Sequence, residues 1–162
     1  MTDADLRAQY AFSRQVRDKV TEANDAVIAI RRVKAQLDDR MKRSKSDTLE
    51  RAADSLVAHA SVIEQDIYQV KNQSGQDPLN FPIKVNNRLA VLLSMAERGD
   101  GRPTNHMGEI FRILSAELQG YTGALSRLWK TELPAVNREL VRQGLAPIDP
   151  QCAAAKGCAV VE

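Results

Sequence analysis

Aromatic residues are scarce in this chain: three Phe, three Tyr and one Trp amount to 4% of 162 residues. A β-sandwich core draws on aromatic and β-branched side chains, so the scarcity argues against that class. Long apolar runs are missing as well. The longest runs from Leu89 to Leu93, far short of the roughly 20 residues that a bilayer-spanning helix needs, so no membrane span is expected. Nor does charge of one sign dominate. With 23 Lys and Arg against 21 Asp and Glu, the net charge of +2 is too small a field to select nucleic acid or an anionic membrane as partner.

The chemistry-bearing motifs are equally thin. No P-loop, no G-x-S-x-G and no G-x-G-x-x-G occurs, so phosphate cradling, a nucleophile elbow and dinucleotide binding have no sequence support. His59 and His106 belong to no Glu-x-x-His pair, His-x-x-x-His pair or Cys cluster; His106 and Glu109 share one helical face, but a single such pair beside Thr104 reads as first-turn chemistry, and no cofactor is expected. The two cysteines, Cys152 and Cys158, have neither the C-x-x-C spacing of a zinc site nor that of a redox motif. A small disulfide loop and two free thiols both stay open. These absences favour a binding or structural role over a catalytic one.

What the chain does have is helical periodicity. From Thr2, a plausible N-cap followed by Asp3 and Asp5, a stripe recurs at steps of three or four through Leu6, Tyr10, Ser13, Val16, Val20, Ala23, Val27, Ile30, Val33, Leu37 and Met41. No Pro or Gly interrupts them, which predicts one helix of about 40 residues, roughly 60 Å long. Ser46, Asp47 and Thr48 then offer caps for a second helix carrying Leu49, Leu56, Ile63 and Ile67. A loop with Gly75, Pro78 and Pro82 follows. The third helix is expected from Pro82 or Ile83 to Arg98, with Leu89, Leu92 and Leu93 inward. Thr104 caps a fourth, running past Leu114, Leu118 and Leu125 to Leu140, where Gly144 and Pro147 end it. Pro134 falls inside this last pattern and should kink it.

The expected fold is therefore all-α: an antiparallel bundle of four long helices of unequal length, the last kinked near Pro134. Residues 1–147 form the bundle and 148–162 a C-terminal tail. If the two longest helices pair end to end, they outrun the shorter two and leave a two-helix stalk carrying Tyr10, Phe12, Val16, Leu133, Val136 and Leu140. Two helices alone cannot bury both apolar stripes, so the stalk is the expected interaction surface for another domain, a partner chain or a second copy.

The most distinctive stretch is Ser74-Gly75-Gln76-Asp77-Pro78-Leu79-Asn80-Phe81-Pro82-Ile83-Lys84-Val85-Asn86-Asn87-Arg88-Leu89. It resembles the segment joining two helices in the C-terminal helical region of bacterial sortilin-like, Asp-box (BNR) β-propeller proteins that carry a glycosyl hydrolase label. The residues near Val16–Val20, Ala29–Val33 and Leu133–Asn137 look like the same region. The resemblance implies a non-catalytic domain that packs against a propeller, in an exported parent with a periplasmic or extracellular location. No Asp-box repeat occurs here, so the hydrolase label would belong to an absent part and transfers no catalytic residue. The alternatives are a piece of a glycoside hydrolase whose site lies elsewhere, and a free-standing cytoplasmic adaptor; the N-terminus carries no secretory signal pattern. Within the structural loop from Asp77 to Pro82, Pro78 and Pro82 should stiffen the chain, Leu79 and Phe81 plug the bundle end, and Asn80 cap the next helix.

Overall fold

A computed structural model describes residues 2–75, 79–98 and 101–152. Among them no strand occurs: the fold is an all-helical bundle of four long helices, the last bent by 31°. The helices are α1 (Asp3–Met41), α2 (Asp47–Ile67), α3 (Val85–Arg98), α4 (Asn105–Thr131) and α5 (Leu133–Arg142), where α4 and α5 are the two arms of the bent fourth helix.

Local chemistry sets the helix ends. The Asp5 backbone N–H donates to Thr2 Oγ1 at 3.3 Å while the Thr2 N–H donates to Asp5 Oδ2 at 3.1 Å, a reciprocal capping box. Ser46 Oγ accepts from the Leu49 N–H, and Thr104 Oγ1 from the Met107 N–H, each at 3.2 Å, so both expected caps form. At the bend, Pro134 has no N–H to bond back, and the chain restarts from the Glu132 carbonyl, which accepts from Ala135 and Val136. At the far end Gly144 takes φ +70°; the Leu145 N–H reaches Leu140 O and the Gly144 N–H reaches Val141 O. That pair of bonds is a Schellman stop, and its left-handed residue suits glycine.

The chain divides into two compact units, one of Met1–Asp25 with Gln65–Thr122, the other of Ala26–Glu64 with Gly123–Glu162. In the first unit, Gln9 Nε2 donates to Ala96 O at 2.8 Å, and Asn86 Nδ2 to Asn24 Oδ1 at 2.6 Å. Rising numbers on α1 thus meet falling numbers on α3, and the two run antiparallel. Phe12 meets Phe111 edge-to-face at 5.7 Å, and Thr122 Oγ1 donates to Glu22 Oε1, so α1 and α4 run the same way. Val16, Leu89 and Leu118, each fully buried, centre this core.

In the second unit α2 returns antiparallel to α1, and Arg31 Nε and Lys34 Nζ of α1 both hold the Glu64 carboxylate of α2. Ser44 Oγ to Gln143 and His59 Nδ1 to Glu132 set α2 antiparallel to the α4–α5 arm. Ile30, Leu49, Leu56 and Leu140 are fully buried. Burial of each such side chain stabilises by roughly 1.5–3 kcal/mol.

Two local expectations differ. The third helix begins at Val85 rather than Pro82 or Ile83, because Pro82 O accepts from Gln69 Nε2 at 2.8 Å and the first helical bond runs from Arg88 N to Lys84 O. Asn80 therefore does not cap it. Leu79 is 88% exposed and plugs nothing; Phe81 is half-buried, its ring beneath Lys71 Nζ at 5.7 Å. Pro82 is exposed, and Asp77 and Pro78 lie outside the described residues.

Candidate functional site

The six residues expected on a stalk do not form one. Tyr10, Phe12 and Val16 belong to the first unit, and Leu133, Val136 and Leu140 to the second. Val16, Leu133, Val136 and Leu140 are buried, Phe12 is half-buried against Phe111, and only Tyr10 stands out, at 67% exposure. The reason is that each half of a long helix finds its own cover. α3 runs beside α1 from Gln9 to Asn24. In the second unit, chain beyond α5 folds back over the helices.

That return segment, residues 145–152, is held by side chains acting as backbone surrogates. Asn137 accepts from the Ile148 N–H at 2.8 Å and donates to Ile148 O at 3.0 Å. Gln36 repeats the pattern one residue on, accepting from the Asp149 N–H at 3.1 Å and donating to Asp149 O at 2.8 Å. Arg40 Nε donates to Ala146 O at 3.2 Å. Gln36 and Arg40 are buried polar side chains, and pairing them with main-chain groups offsets the cost of removing them from water. Ile148 and Cys152 are buried here, and Cys152 is disulfide-bonded; Cys158 lies outside the described residues. The tail expected from residue 148 is thus, as far as residue 152, a strap packed on the second unit.

Surface that the sequence pattern did not single out lies elsewhere. In the first unit, α3 and α4 pack antiparallel, with Arg88 ion-paired to Glu117. Beside that pair Val91, Met95, Ile110 and Ile113 line an open apolar groove of about 310 Å³. Val91 is 52% exposed, Met95 50% and Ile113 61%. Clustered exposed apolar side chains are the informative departure from an ordinary surface, where single ones are normal. The sequence held a signal: Val91 and Met95 are four apart and lie off the inward stripe of Leu89, Leu92 and Ala96, so α3 carries a second apolar line.

In the second unit, a groove of about 550 Å³ follows the α4–α5 bend, lined by Trp129, Leu133, Pro134, Val141, Arg138 and Arg142 among others. Val141 is 60% exposed.

Two titratable groups take their shifts from burial and neighbouring side chains. Burial pushes the Glu64 carboxyl up, but hydrogen bonds and charge from Lys34 and Arg31 outweigh it and hold the group below its ordinary value. Burial, then the neighbouring Glu117 charge, raises the Tyr121 hydroxyl. Among the described residues no group of three or more His, Cys, Asp or Glu could hold a metal ion, and no helix is long and apolar enough to cross a membrane. Compared with known proteins, the chain matches no family model, no curated sequence and no solved structure.

Proposed function

We propose that this chain is a non-catalytic helical interaction domain that packs against a β-propeller through the α3–α4 face of its first unit. The observation that carries the reading is the exposed apolar groove of Val91, Met95 and Ile113. Burying such a face against another protein supplies roughly 25 cal/mol per Å² of apolar area. The propeller as partner rests on the resemblance of residues 74–89 to the helical region of sortilin-like Asp-box proteins; in this chain that segment and the groove fall in one compact unit. The disulfide at Cys152 fits the oxidising compartment of an exported parent.

The test begins with the gene: Asp-box blades encoded alongside this chain supply the partner to express separately. Calorimetric titration of that propeller into the chain should give saturable binding, lost in Val91→Lys and Ile113→Lys, both exposed and tolerable to the fold. Undiminished binding by both variants contradicts the reading. So does turnover of glycan substrates by the purified chain that disappears on substitution of one of its own carboxylates. Concentration-dependent sedimentation abolished by the same two variants would instead make the occupant a second copy.

A further inference from the structure

We propose that the groove along the α4–α5 bend, in the second unit, docks an acidic, leucine-bearing segment of a partner protein. This stands independently of the propeller reading, on different residues. Trp129, Leu133, Pro134 and Val141 give the groove an apolar floor, and Arg138 and Arg142 lie along its edge. Among the described residues no carboxylate lines it. Among the described residues the one carboxylate on an edge cation is Glu139, whose Oε2 is 3.3 Å from Arg142 Nη1. Arg138 is exposed and makes no ion pair with any described residue. Arg138 therefore presents a positive charge that no described carboxylate pairs, beside apolar surface, and that selects an occupant of opposite charge.

The pieces are those that interfaces concentrate. Trp and Arg are the residue types that most often carry binding energy, and a guanidinium takes a carboxylate through two parallel bonds. Arg138 and Arg142 are one turn apart, about 6 Å along the helix. Alternate carboxylates on an extended chain are about 6.6 Å apart, so a segment with Asp at every second position can meet both arginines, with its Leu side chains pointing the other way, across the groove. A Lys-bearing segment meets repulsion, and a neutral one forgoes the charge-assisted bonds.

Trp129 is the only tryptophan in the chain, so its fluorescence reports on the groove alone. The experiment titrates the whole chain with three synthetic peptides, alternating Asp with Leu, Asn with Leu, and Lys with Leu. The expected result is a saturable change with the Asp peptide only, weakened by added salt and by roughly tenfold in Arg138→Gln. Arg138→Lys should restore part of that loss, and Leu79→Gln, at an exposed position of the other unit outside both grooves, should change nothing. Equal binding of the Asn peptide, unchanged affinity in Arg138→Gln, or no saturable change up to millimolar peptide would each overturn the proposal. Displacement of the Asp peptide by inorganic phosphate at equal affinity would overturn it too, leaving an anion site in place of a docking groove.

Discussion

The charge cluster joining α1 to α2 makes a quantitative claim. Glu64, with 8% of its side chain exposed, accepts from Arg31 Nε at 2.7 Å and from Lys34 Nζ at 2.6 Å. Glu64→Gln keeps the shape but removes the charge that both cations face. Breaking a fully buried pair costs about 3–5 kcal/mol. Here Arg31 is 54% and Lys34 28% exposed, so the cations left behind still reach water, and a loss of about 2 kcal/mol at pH 7 is expected. The pH dependence follows from the lowered folded-state pKa. A depressed carboxyl contributes stability that is fully present above its unfolded value, near 4.5, and that is lost as pH falls through the folded value. Urea unfolding of both proteins at pH 7 and pH 3 should therefore show a gap that narrows on acidification. A gap under about 0.5 kcal/mol at pH 7 would place this triad with inert surface pairs, and a gap that ignores pH would refute the charge argument.

Other substitutions test the strap and the helix ends. Asn137→Ala removes both bonds to Ile148 and should cost about 2 kcal/mol in urea unfolding; limited proteolysis should then cut faster within residues 145–152. Two glycine replacements should act with opposite sign in thermal melts. Gly120→Ala lies in α4 with nothing within 4 Å of an added Cβ, so it should stabilise by up to about 1 kcal/mol. Gly144→Ala imposes a side chain on φ +70° and should destabilise by about 1 kcal/mol.

The helices themselves were legible. An unbroken stripe from Thr2 to Met41, Thr104 as a cap, the bend at Pro134 and the stop at Gly144 all follow from local rules, because caps, prolines and left-handed glycines act within a turn of the chain. Which helix halves share a unit was not legible. Periodicity gives Val16 and Leu140 an apolar face but not the identity of what covers it, and that is why buried residues were expected on an exposed stalk. The strap was hidden for a related reason. Periodicity assigns no task to the polar Gln36, Arg40 and Asn137, yet Gln36 and Arg40 stand one turn apart beside the buried Val33 and Leu37, a faint sign of polar groups with an inward task. The grooves escaped notice because Val91, Met95, Ile113 and Val141 lie off the main stripes.

Met95, 50% exposed on the α3–α4 face, offers the most direct test of the proposed role. Its thioether oxidises readily while it is accessible, and Tyr10, 67% exposed elsewhere on the same unit, serves as the internal reference. Radical footprinting should label both residues in the chain alone and, once the propeller is bound, protect Met95 while Tyr10 stays reactive. Equal labelling of Met95 in the free and bound chains would contradict the account.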